Sequence, residues 1–122
     1  MFEIMALVLL SQQPFVPVAE GLASYYSARE SLPITASGEP LRDEIYSCAM
    51  RGGNFGDYYL VVAENGRSVV CRLNDRGPFV AGRVIDLSRA AIRQLHATKG
   101  LLPVKVYRLG ADPPARQKSR RH

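Results

Sequence analysis

Asp75 ends the run Ser68-Val69-Val70-Cys71-Arg72-Leu73-Asn74 and is followed by Arg76-Gly77-Pro78. Glycine permits unusual backbone angles and proline fixes the next φ, so this segment is stiff. A carboxyl held in place is what general acid or base catalysis requires. The same residue types also make an ordinary turn, and residue type alone leaves both readings open. Glu39, in Thr35-Ala36-Ser37-Gly38-Glu39, is a second candidate acid within a polar loop. Asp86, after Val84-Ile85, reads as structural, a cap for the following helix or a partner for Arg83.

Other chemistries have less support. Neither His96 nor His122 has a recognisable nucleophile beside it, and no phosphate-cradling glycine loop or nucleophile elbow is present. Two cysteines far apart, Cys48 and Cys71, form no ligand cluster with those histidines. Neither a metal nor a cofactor is therefore expected. What remains is hydrolytic or lyase chemistry run by carboxylates.

The elements that must position these acids are short. Strands are expected over 20–26, 45–50, 58–63, 67–73, 84–87 and 104–109. Asn65-Gly66 between two β-branched runs predicts a hairpin, because both residues tolerate positive φ. Ser88 stands at an N-cap position before Ala91, Ile92 and Leu95, which share one face of a short helix. Six short strands with one helix fit a small closed barrel, since closure removes exposed edges.

The chain of 122 residues is one domain's worth and long enough to bury a core. Its net charge is +5, but residues 115–122 hold four basic residues and no acid, leaving +1 for the rest. The body thus carries no basic face or motif for nucleic acid. The tail reads as a solvated end or a weak tether to an anionic surface. Residues 4–10, IMALVLL, are too short to span a bilayer and resemble the apolar part of an export signal, although Glu3 stands where a positive charge is usual. The expected layout is a degenerate signal-like segment and linker over 1–19, a domain over 20–110 and a basic flexible tail over 111–122. Export would permit a disulfide between Cys48 and Cys71; two buried free thiols are the alternative.

Several segments occur in an informative order: GLASYYS (21–27), TASGE (35–39), Phe55-Gly56, ENGRSVVCRLNDRGPF (64–79), GRVIDLSRAA (82–91) and PVKVYRL (103–109). Together they resemble the rare lipoprotein A (RlpA) family over about residues 20–110. The resemblance implies a mainly β fold, a six-stranded double-psi β-barrel with one or two short helices, akin to barwin and expansin domains. It also implies a lytic transglycosylase that cleaves the bond between N-acetylmuramic acid and N-acetylglucosamine in peptidoglycan and leaves an anhydro-muramic end. On this resemblance Asp75 is the catalytic acid/base and Glu39 a supporting catalytic or positioning acid. Tyr26, Ser37, Asn74 and Arg76 are candidate substrate-binding residues. Peptidoglycan strands are the implied partner and export the implied setting; a monomer without a transmembrane segment is the default expectation.

The chain departs from the family at one position. Active members carry a histidine where Met50 stands in Cys48-Ala49-Met50. Methionine carries no proton and its sulfur accepts only weakly. The alternative expectation is therefore a non-catalytic wall-binding or expansin-like module. A Cys48–Cys71 bridge would pin the strand that presents Asp75.

Overall fold

The hairpin predicted at Asn65-Gly66 joins strand β3 (Tyr58–Ala63) to β4 (Ser68–Asp75), paired antiparallel from Tyr58↔Arg72 to Val62↔Ser68. The computed structural model describes residues 16–26, 34–97 and 100–112. Residues 1–15 and 113–122, most of the signal-like segment and nearly all of the basic tail, lie outside them. The remaining elements are β1 (Ala19–Tyr25), β2 (Ser47–Ala49), β5 (Arg83–Leu87), helix α1 (Arg89–Gln94) and β6 (Leu102–Gly110).

The six strands close into a barrel in the order β1-β5-β2-β4-β3-β6. Two neighbour pairs are parallel, β1 with β5 and β2 with β4; the other four are antiparallel. Each parallel pair needs a crossover, and this brings residues distant in sequence onto adjacent strands.

Alternation along the strands fills the interior. Cys48, Val61, Cys71, Leu73, Ile85, Leu87 and Val106 are fully buried in one core, closed on one side by Leu95 at the end of α1. Helix α1 starts as expected. The Ser88 hydroxyl accepts from the Ala91 N–H and also donates to the Ile45 carbonyl at 2.6 Å, tying the helix to the chain entering β2. Among the described residues no helix is long and apolar enough to cross a membrane.

The observed bounds differ from expectation where tertiary pairing decides. β2 is three residues rather than six: Ser47–Ala49 pair with β4, and Cys48 and Ala49 also pair with β5. β4 runs two residues further than expected and ends on Asp75, so the acid belongs to the barrel wall rather than to a loop.

Candidate active site

Asp75 is aimed by a break in the β4 register. Cys48 pairs with Leu73, but the next residue, Ala49, pairs with Asp75, so Asn74 is the extra residue of a bulge. Along β4 burial alternates to Leu73 and then repeats at Asn74. Bulges of this kind re-aim a side chain next to a site. The Asp75 carboxylate is held through Oδ1, which accepts from the Ala36 N–H and from the Arg76 N–H, each at 2.9 Å. Among the described residues Oδ2 makes no hydrogen bond.

The loop carrying Glu39 is a built structure. The Thr35 N–H donates to the Glu39 carbonyl at 2.8 Å, the Gly38 N–H donates to the Thr35 carbonyl at 2.9 Å, and an isolated bridge joins Ile34 to Pro40. The Ser37 N–H donates to the Asn74 carbonyl at 3.1 Å, so the loop rests on the bulge itself. Both Glu39 carboxylate oxygens lie 2.7 Å from Nη1 of Arg72, and Ser37 Oγ donates to Oε1 at 3.4 Å. The Arg72 bond is the largest cause holding the Glu39 carboxyl below the usual carboxylate range; bonds from Asn74 and Ser37 act in the same direction. The ionised form of Glu39 is therefore favoured. Asn74 is almost fully buried, and its Oδ1 has no partner among the described residues.

Arg76 and Tyr26 each have protein partners of their own. The Arg76 guanidinium donates to the carbonyls of Gly52 (3.0 Å) and Gly53 (2.8 Å) and lies 4.1 Å from the centre of the Phe55 ring. It staples the 51–55 turn to the acid-bearing segment. Gly53 is required at that turn: its φ is +91°, and a Cβ would stand 2.5 Å from the Tyr59 hydroxyl and 2.9 Å from Leu73. Gly77 likewise has φ +115°, strained for any side chain. Tyr26 is only 9% exposed, packs with Leu41 and Ala49, and shares a 2.8 Å hydrogen bond with Ser47. Burial is the largest cause raising its hydroxyl pKa well above the tyrosine range, so Tyr26 is neutral.

Met50 is buried, and its N–H donates to the Asp75 carbonyl at 3.2 Å. The residue at the departing position thus touches the acid's backbone. Cys48 and Cys71 are both free and fully buried, with side chains close enough to hydrogen-bond; burial and the neighbouring sulfur push the Cys48 thiol up.

Two contributors escaped the sequence. One is Arg72, whose alternation in β4 gave no sign that Glu39 would reach it. The other is an open cleft of about 440 Å³ lined by Glu44, Tyr46, Ser47, Tyr58, Arg72 and Asn74, beside the Glu39–Arg72 pair. A larger recess of about 680 Å³ on the β1–β6–β3 wall holds none of the candidate residues.

A family model described as lytic transglycolase matches residues 18–106. The chain belongs to the lytic transglycolase family. Curated relatives of this RlpA-like double-psi barrel domain share its sequence closely. The endolytic peptidoglycan transglycosylase RlpA of Pasteurella multocida is 44% identical over 77 residues, covering 62% of this chain and 26% of that protein. The probable endolytic peptidoglycan transglycosylase RlpA of Treponema pallidum is 39% identical over 109 residues, covering 88% of this chain and 34% of that one. The chain thus spans about a quarter to a third of the length of these relatives. Among solved structures, a Streptomyces papain inhibitor matches with a TM-score of 0.59 at 21% identity, over 77% of this chain and 96% of that one. The expansin of Clavibacter michiganensis matches with the same TM-score of 0.59 and 21% identity, over 79% of this chain and 51% of that one. At such identity these two establish the lytic transglycolase domain's fold alone.

Proposed function

We propose that this domain is an endolytic peptidoglycan transglycosylase, a lyase that cuts the bond between N-acetylmuramic acid and N-acetylglucosamine and leaves an anhydro-muramic end. It acts in the cell envelope after export, as a monomer, on glycan strands. The observation that carries this reading is the anchoring of Asp75. One carboxylate oxygen is fixed by Ala36, from the loop that also bears Glu39, while the other makes no hydrogen bond among the described residues.

The proposed chemistry is an intramolecular displacement. The muramic hydroxymethyl oxygen attacks its own anomeric carbon in place of water. The new C1–O6 bond forms as the bond to the leaving sugar oxygen breaks. A proton must leave O6 and another must reach the leaving oxygen. Asp75 is the acid/base for this exchange. Glu39, ionised beside Arg72, positions the glycan with Ser37 and the wall of the Arg72 cleft.

A second reading rests on Met50. It occupies the position of the family histidine, and it is buried against the Asp75 backbone without a proton to give. On that reading the domain binds wall glycan without turnover. Digestion of sacculi, intact and stripped of stem peptides, separates the two. Anhydro-muramic ends detected by mass spectrometry and lost in Asp75→Asn support the lyase. Co-sedimentation with sacculi and no such ends sinks it, and Met50→His is then the variant to assay.

A further inference from the structure

The chain that leaves Asp75 runs into an apolar tip. Gly77 and Pro78 are buried, but Phe79, Val80 and Ala81 after them are all exposed. Phe79 is 77% exposed, more than any other large apolar side chain described. Single apolar residues scattered over a surface are ordinary, but an unbroken exposed run calls for a function.

The tip is held in place. The Arg83 N–H donates to the Val80 carbonyl at 3.1 Å, and the Leu22 N–H donates to the Gly82 carbonyl at 2.9 Å, tying the turn to β1. A Cβ built on Gly77 would stand 3.4 Å from Cε2 and 3.6 Å from Cδ2 of Phe79, so the ring leans over that glycine. Gly77 follows Asp75 by two residues, at most about 7 Å of chain. The ring therefore stands close to the acid. Phe55, on the 51–55 turn, has its ring covered by the Arg76 guanidinium, whereas no cation covers Phe79 among the described residues.

We propose that Phe79 is a sugar-binding residue, its ring receiving the C–H face of a pyranose unit next to the bond cut at Asp75. The contact rests on the peptidoglycan reading above and adds an apolar subsite to it.

The chemistry around the acid selects this occupant. A pyranose ring is amphipathic, with hydroxyls at its edge and C–H bonds gathered on a face. An aromatic ring takes that face by burial and through its negative π cloud. Beside Asp75 the polar contribution comes from the 35–39 loop, with the Ala36 N–H on Oδ1 and with Ser37 and Glu39 in contact beyond it. The apolar contribution comes from the 79–81 tip. A lipid surface fits less well, because insertion at an anionic membrane calls for basic residues beside the apolar ones. Residues 77–82 hold none. Of the flanking arginines, Arg76 is bound to the Gly52 and Gly53 carbonyls, and the charge of Arg83 acts on Asp86.

The test measures binding apart from turnover. Asp75→Asn serves as the parent, so that strands survive, and is titrated calorimetrically with stem-peptide-free peptidoglycan strands. Phe79→Ala, Phe79→Leu and Phe79→Tyr are made in the same background. Phe79→Ala is expected to weaken binding about 10–100-fold. Phe79→Tyr is expected to keep most of the affinity, and Phe79→Leu, which lacks a flat ring, to fall with alanine. Unchanged binding by Phe79→Ala, or parental binding by Phe79→Leu, overturns the proposal. Sedimentation with anionic phospholipid vesicles that Phe79→Ala abolishes, while glycan binding persists, gives the tip to lipid and overturns it too. A measurement on the parent survives a misfolded variant: nuclear Overhauser contacts between the Phe79 ring protons and sugar C–H protons are expected, and their absence at saturating glycan rejects the contact. A parent that binds no strand removes the peptidoglycan reading and this contact together. Strands bound through Phe79, with no anhydro-muramic ends from the unaltered domain, sink the lytic reading alone and leave the contact standing.

Discussion

Glu39 and Arg72 meet across 33 residues of sequence, with both carboxylate oxygens 2.7 Å from one guanidinium nitrogen. The contact joins the polar loop to the middle of β4, three residues before the acid that the loop also holds. Its consequence is local order at the site more than global stability. Both side chains are about 40% exposed, so the pair is worth at most about 1 kcal/mol.

Arg72→Met is therefore expected to lower the unfolding free energy by less than about 1 kcal/mol at pH 7. Arg72 depresses the Glu39 pKa in the folded state. Its stabilisation is present above the ordinary carboxylate pKa and is lost as pH falls through the lowered value. Urea unfolding at neutral pH and in acid checks this: the variant and the parent should converge in acid. Lysis of sacculi should fall by more than the stability change explains, because the Glu39 loop loses its anchor.

Asp75→Asn keeps the two N–H contacts to Oδ1 and removes the charge. Turnover is expected to drop about 10²–10⁴-fold with the melting temperature little changed. A variant that retains full production of anhydro-muramic ends would remove Asp75 from the mechanism.

Asp86→Asn is expected to raise stability at neutral pH. A carboxyl whose folded pKa is raised costs stability as pH climbs through its ordinary value toward the raised one, and the full cost stands above that window. The melting difference between Asp86→Asn and the parent should be largest near pH 7 and shrink below about pH 4, the ordinary range of this side chain. The groups facing Asp86 are Ser24, Arg83 and Asp75, so Arg83→Met should widen the difference. A difference that does not vary with pH contradicts this account.

Gly53→Ala meets the Tyr59 hydroxyl and Leu73 at a φ of +91°. The expected cost is about 1–3 kcal/mol. The Gly53 carbonyl also holds Arg76, so the Arg76–Phe55 stack should loosen with it. Chemical denaturation and the Arg76 side-chain NMR signals report the two effects separately.

Cys48 and Cys71 are free thiols in contact on neighbouring positions of the core. A disulfide-class oxidant such as oxidised glutathione is expected to take their two electrons and two protons and join them. The bridge would close a loop of about 24 residues and stabilise by about 3 kcal/mol if its geometry is relaxed. Thiol titration in denaturant after oxidation decides it: two titratable thiols exclude the bridge.

What the sequence alone determined lies mostly within a few residues of chain. Asn65-Gly66 set the β3–β4 turn because those residues accept positive φ, and Ser88 capped α1 because its hydroxyl reaches an N–H three residues ahead. The ordered motifs around Asp75 and Glu39 also pointed to the family that the model match supports. The site's wiring was not legible. Arg72 reaches Glu39, Ser24 reaches Asp86 across 62 residues, and Arg76 turns to Gly52 and Gly53 rather than to its neighbour. The burial of Tyr26 was not legible either. These contacts depend on which strands become neighbours when the barrel closes and on the single-residue slip at Asn74. A one-residue change of register reassigns which side chains share a face, and no local pattern in β4 encodes it.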